Sequence, residues 1–206
     1  GTRKEITVRD VGNNDIFYFS VVGGTASPRR KVVSQDKCNT CHGTLMLHGT
    51  IRRTIEHCLL CHNPITTDVA RRTRPELLPP ESVNFKTMIH KIHTGEELKT
   101  DFTVYGYGGN PFNFNEVLFP GDRRDCEKCH LAGTYRIPLA EGLLNQVAPR
   151  DWINPLQPIT GACLSCHTEK STAAHAAVMT SPALGESCAA CHCTNRDFSV
   201  DRAHAR

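Results

Sequence analysis

Two thiols three residues apart, with an imidazole directly after the second, recur five times in this chain. The stretches are Cys38-Asn39-Thr40-Cys41-His42, Cys58-Leu59-Leu60-Cys61-His62, Cys126-Glu127-Lys128-Cys129-His130, Cys163-Leu164-Ser165-Cys166-His167 and Cys188-Ala189-Ala190-Cys191-His192. They use ten of the eleven cysteines. Thiols at this spacing add across the two vinyl groups of a haem while the adjacent imidazole takes the iron from one side, which is the attachment chemistry of c-type haem. Zinc sites also use Cys pairs, but nothing in zinc coordination demands a His after every second Cys. A disulfide framework pairs cysteines across loops, and a thioredoxin-like motif occurs once. Five c-type haems are therefore expected, with His42, His62, His130, His167 and His192 as proximal iron ligands.

Six histidines lie outside these motifs. His57 directly precedes Cys58, so its direction is set by that attachment and it is set aside. The remaining five, His48, His90, His93, His175 and His204, equal the number of irons that need a second axial ligand. Met46 has ligand chemistry but is by default a core filler. Iron with two imidazoles is low-spin and closed to substrate, so these haems transfer electrons, and no catalytic residue is assigned; a catalytic haem needs an open position.

The ligands need elements to hold them. Residues 82–94 have helical grammar, with Ser82 as a cap and Gly95 where the helix stops. Phe85, Met88, Ile89 and Ile92 form one stripe, and His90 and His93 lie beside it, about 60° apart, placed to serve two adjacent haems. Residues 171–179 read as a second helix, whose alanines let a haem approach and which carries His175. Only twenty residues separate Cys38 from Cys58, so the first two haems must be neighbours. His48, six residues after His42, reaches a neighbouring haem more easily than its own. Residues 71–80 read as basic, proline-rich coil, 101–122 as a long ordered loop, and 137–160 as short turns. Ile6, Val8 and residues 16–22 are rich in β-branched and aromatic types around Gly12-Asn13-Asn14-Asp15, which predicts two strands. A lone hairpin is marginal in water, so these strands are expected to complete a sheet belonging to something else, as in a truncated chain. The fold class is a multihaem c-type cytochrome, mostly coil with short α-helices packed around five haems and short N-terminal β-strands. Residues 1–33 form a β-strand segment and 34–206 a pentahaem domain.

Composition agrees. Of 206 residues 39% are hydrophobic, and without the haem cysteines about 34% remain, low for a domain this size. Haem faces must replace the missing side chains. The formal charge is +3, but each oxidised haem with two ionised propionates adds roughly −1, which argues against a nucleic-acid surface. Arg52, Arg53, Arg71 and Arg72 are candidate propionate partners. No run is long enough to span a bilayer. Haem attachment of this kind happens outside the bacterial cytoplasm, so an exported protein is expected. Cys193 is the cysteine left over, free, buried or paired with a partner.

The chain resembles a pentahaem domain of the outer-membrane decahaem cytochromes of the OmcA/MtrC type. The stretches that carry the likeness are ASPRRKVVSQDKCNTCHGTLMLHG, CLLCHNP, ESVNFKTMIHKIHTGE, FNEVLFPGDRRDCEKCH and ESCAACH with the later His204, covering roughly residues 26–206. The resemblance implies that His48, His90, His93, His175 and His204 are distal ligands and that residues 1–25 end a preceding β domain. It also implies location at the cell surface, outer membrane or outside the cell, with the periplasm as the alternative. Implied partners are other multihaem cytochromes or an outer-membrane conduit, with metal oxides, soluble metals and flavins as acceptors. The chain departs from the family pattern at Cys193, often Gly, and in having His57. Two other readings stay open: a reductase of a small oxyanion with one open haem, and self-assembly into a polymeric wire through Cys193 and the unpaired strands.

Overall fold

The computed structural model describes residues 11–74 and 78–205. Most of the chain is coil and turn, interrupted by short helices: α1 (Gln35–His42), α2 (Ile55–Cys61), α3 (Phe85–Thr94), α4 (Pro158–Cys163), α5 (Lys170–Val178), α6 (Ala189–His192) and α7 (Val200–Ala203). Two small antiparallel hairpins pair β1 (Thr103–Tyr105) with β2 (Pro111–Asn113) and β3 (Thr180–Ser181) with β4 (Gly185–Glu186).

The apolar core is small. Among the described residues the buried hydrophobic side chains are Ile55, Cys58, Val83, Leu98, Phe102, Ile137, Ala148, Leu156, Leu164, Ala173 and Ala176, and one cluster unites only Ala148, Leu156, Leu164 and Ala173. A buried ionic network supplements it. Lys91 Nζ lies 3.0 Å from Glu81 Oε1 and 3.1 Å from Asp151 Oδ1, and Arg150 bridges Glu81 at 3.6 Å to Asp101 at 2.8 Å. Asp68 accepts from Arg72 Nε at 2.7 Å, from the Glu81 backbone N–H at 2.8 Å and from the Tyr105 N–H at 3.0 Å. Arg72 is thereby committed to Asp68, with its guanidinium 4.6 Å over the Tyr105 ring; a buried carboxylate needs that counter-charge more than a propionate does.

Helix α3 starts two residues later than its pattern suggests. Its cap is Asn84, while Ser82, wholly buried, bridges to Thr67 instead. The stop is as expected: Gly95 sits at φ 52°, where an added Cβ would run into the Val117 carbonyl oxygen. Thr87, Lys91 and Thr94 are the buried face, from which Lys91 reaches the ionic network and Thr87 the Gln146 side chain, whereas Phe85, Met88, Ile89 and Ile92 stay half-exposed alongside His90 and His93.

Two expectations are corrected. Residues 101–122 are not all loop, because Thr103–Tyr105 and Pro111–Asn113 close a hairpin through Gly108 and Gly109, both at positive φ. Three-residue strands carry too little alternation to be read from pattern. Residues 16–22 form no strand, since an extended segment needs a ladder partner and the described residues provide none. Phe17 and Phe19 stack on each other at 6.4 Å and remain exposed. Asn14, instead of making a turn between strands, ties the segment to the Ile51 carbonyl (3.1 Å) and the Arg53 N–H (2.8 Å). The strand expected around Ile6 and Val8 lies outside the described residues.

Candidate haem sites

Each attachment motif occupies a turn of helix or 3-10 helix, and that conformation does the positioning. One turn brings Cys i, Cys i+3 and His i+4 to the same side. Motif one ends α1, motif two lies on α2 with His62 as its C-cap, motif three begins in a 3-10 turn, motif four starts at the last residue of α4, and motif five opens α6. In motifs two to five the His N–H donates to the carbonyl of the first Cys at 2.9 Å.

Across from each proximal imidazole stands one of the five other histidines. Ring centroids are 6.1 Å apart for His42 and His93, 6.0 Å for His48 and His62, 6.0 Å for His90 and His130, 6.1 Å for His167 and His204, and 6.2 Å for His175 and His192. A metal bonded at about 2.0 Å to an imidazole nitrogen on either side, with each ring centre about 1.1 Å further, requires roughly 6.2 Å. The pairs therefore fit one iron each. The pairing crosses the chain order: α3 sends His93 to motif one and His90 to motif three, His48 meets motif two, His204 motif four and His175 motif five. Neither His57 nor Met46 joins any of these ring pairs. Among the described residues no three His, Cys, Asp or Glu converge as a metal cluster, so a zinc tetrahedron finds no ligand set.

Hydrogen bonds orient several rings with one nitrogen free. Nδ1 of His62 meets the Val83 carbonyl at 2.8 Å, that of His93 the Ile89 carbonyl at 2.8 Å, that of His192 the Phe198 carbonyl at 2.8 Å, and that of His204 the Val200 carbonyl at 2.9 Å. An Nδ1–H given to a carbonyl leaves Nε2 as the donor to metal. Burial lowers the pKa of His62, His93 and His130, and pushes that of His90 down to about 4, keeping these rings neutral as ligation requires. Burial also raises the Cys38, Cys58, Cys126, Cys129, Cys166 and Cys188 thiols, and takes Cys163 to about 11. Such sites suit uncharged sulfur, the state a thioether has, rather than thiolate.

The sulfurs also report which motifs adjoin. Cys38 lies within electrostatic reach of Cys58 and Cys129, Cys129 of Cys41, Cys126 of Cys166, and Cys163 of Cys188. Motifs one and three are further locked together, since Lys37 Nζ donates to the Glu127 and His130 carbonyls at 2.6 Å and Val33 bridges to His130. The orienting carbonyls of Ile89 and Val200 lie one helical turn before their histidines and follow from the helix; those of Val83 and Phe198 are brought by tertiary structure and had no signal in the sequence.

Residues 30–205 match the family described as outer membrane cytochrome MtrC/MtrF-like, domains II/IV. The chain belongs to that family. Among solved structures, the crystal structure of the outer membrane decaheme cytochrome OmcA is similar at TM-score 0.53 and 27% identity, over 86% of this chain and 24% of OmcA. The chain thus spans about a quarter of the length of that relative. No curated protein matches it. Membership in the MtrC/MtrF-like family makes this a multihaem cytochrome fold. No helix among the described residues is long and apolar enough to cross a membrane.

Proposed function

We propose that the chain is a pentahaem electron relay, with every iron held between two imidazoles. Cys38, Cys41 and His42 with His93 hold the first haem; Cys58, Cys61 and His62 with His48 the second; Cys126, Cys129 and His130 with His90 the third; Cys163, Cys166 and His167 with His204 the fourth; Cys188, Cys191 and His192 with His175 the fifth. One observation carries this reading: each of the five motif histidines faces a different second imidazole at 6.0–6.2 Å. The haem supplies a one-electron iron couple. The chain's own imidazole pairs would hold the iron and so keep substrates off it, and the half-exposed apolar stripe of α3 would be left for a macrocycle to cover.

The sulfur neighbours support the order two, one, three, four, five as the path of electrons, with α3 joining the first and third sites. We further propose that residues 34–206 form the haem domain. The relay works at the cell surface or outside the cell, taking electrons from other multihaem cytochromes or an outer-membrane conduit and passing them to metal oxides, soluble metals, flavins or another cytochrome. Nucleic acid is not a partner in this reading.

Haem content by mass and pyridine haemochrome, with low-temperature electron paramagnetic resonance of the oxidised protein, tests it. Five haems, all low-spin, are expected. A high-spin signal that is not traceable to damaged protein would overturn the bis-imidazole assignment at that site and identify an open iron, as a reductase of small oxyanions requires.

A further inference from the structure

The five imidazole pairs are not equivalent in what surrounds them. In four pairs one ring is firmly bonded through Nδ1 to a backbone carbonyl, by His93, His62, His204 and His192 for sites one, two, four and five. Site three has no such bond. Nδ1 of His90 is buried without a partner, and Nδ1 of His130 meets only the Thr134 hydroxyl oxygen, an acceptor held at a long 3.4 Å by that hydroxyl's donation to the Val32 or Leu131 carbonyl at 2.7 or 2.8 Å. An acceptor at Nδ1 makes an imidazole a stronger donor and favours ferric iron; its absence favours ferrous.

The charges point the same way. The cation acting on His90 is Lys86, whose Nζ donates to the Pro158 carbonyl at 2.6 Å, and the cation acting on His130 is Lys37. No carboxylate is among the groups that act on either ring. The two carboxylates near the cysteines of this site are each matched by a cation: Asp125 by Lys128 at 3.5 Å and Asp201 by Arg136 at 3.0 Å. Glu186 acts on Cys163 and Cys188, in sites four and five, and also on Lys86, whose charge it offsets in part. Because the ferric core carries one more positive charge than the ferrous, burial with cations on both sides and no Nδ1 acceptor at a backbone carbonyl stabilises the reduced form.

We propose that site three, held by His90, His130, Cys126 and Cys129, has the highest midpoint potential of the five and is the electron-storing station at the centre of the relay, tuned by Lys86 and Lys37. This rests on the five-haem bis-imidazole reading above. Lys86 and Lys37 are positioning residues in the electrostatic sense; neither binds iron.

The ring planes provide a label for the test. Planes that are nearly parallel donate into one iron d orbital and give a rhombic resonance, whereas nearly perpendicular planes leave two orbitals close in energy and give a single large g-value. The interplanar angle is 11° for site three and 22° for site two, against 50° for site four, 74° for site one and 81° for site five. In a potentiometric titration of the holoprotein followed by this resonance, the first ferric signal to vanish on reduction should be rhombic. Lys86→Met should then lower the midpoint of that component, with the ferrous-to-ferric ratio at fixed potential falling about tenfold, which is about 59 mV for one electron; Lys37→Met should shift it in the same direction. The proposal is overturned if a large-g component is reduced first in the unmodified protein, or if the folded Lys86→Met holoprotein keeps its first midpoint. Either result with five low-spin haems leaves the relay reading standing, whereas a missing haem or a high-spin iron defeats that reading first.

Discussion

Replacing Lys91 by Met removes the cation at the centre of the buried network while keeping a side chain of similar length on α3. Its ammonium contacts Glu81 at 3.0 Å and Asp151 at 3.1 Å, and lies 5.3 Å from the Phe102 ring centre. Lys91 and Glu81 side chains are 4% and 2% exposed, so the carboxylate left behind has no water to turn to. Burial already raises the Glu81 carboxyl above its usual range against the pull of Lys91. Removing one partner of such a pair costs about 3–5 kcal/mol. Arg150, 3.6 Å from the other Glu81 oxygen, offsets part of this, so about 3 kcal/mol is expected. Adding Glu81→Gln should recover roughly half, because the remaining Asp151 is 16% exposed and can hydrate. The assay is guanidinium unfolding of the oxidised holoprotein, read by the conversion of low-spin to high-spin haem in the visible spectrum. Lys91 sits between His90 and His93, so in Lys91→Met two sites, one and three, should lose a ligand together at lower denaturant than the other three. A variant within about 0.5 kcal/mol of the parent, the range of an ordinary surface change, would refute the argument that this network holds α3 in place.

Four further outcomes are expected. Alanine at any one of His48, His90, His93, His175 or His204 should convert one haem in five to high-spin; resonance Raman would count it, and the same count after substitution of His57 would contradict the pairing. The pKa of Lys86 is lowered to about 8, first by burial, with Glu186 and Cys163 opposing. Its charge is therefore lost as pH rises through about 8, and the highest midpoint should fall across that range in potentiometry well below and well above it. The sign for stability is opposite to that of a favourable ion pair: charged Lys86 is a cost to the folded state, relieved as pH rises from about 8 toward its unfolded value of 10.5. Gly95→Ala should destabilise by about 1–3 kcal/mol, since it places a Cβ against the Val117 backbone at a positive φ, and a thermal melt would show it. Chain produced without haem attachment should stay largely unfolded by circular dichroism and proteolysis, because so small a buried apolar set cannot offset the ordering of this many residues.

The sequence by itself displayed the attachment motifs on which the haem reading rests. Five Cys-Cys-His motifs are local in space as well as in sequence, since one helical turn presents all three side chains, and no tertiary information is needed to read them. The family was likewise legible in the motif order and in stretches such as that around His90 and His93, and the match over residues 30–205 bears that out. Helices α3 and α5 were visible because their apolar and alanine-rich patterns run long enough to show a period. The short hairpins were not, and the strand expected at 16–22 failed because pairing depends on a partner, which no pattern within a segment guarantees. Tertiary structure alone decided which histidine faces which motif. A count can match five imidazoles to five irons, but His48 meeting His62, or His204 meeting His167, depends on how coils of no regular period pack. It alone also revealed that Lys91 of α3 faces inward, and that neither ring of the His90–His130 pair makes the Nδ1-to-carbonyl bond that one ring of each other pair makes. Such differences arise from contacts between distant residues, which no pattern within a motif records.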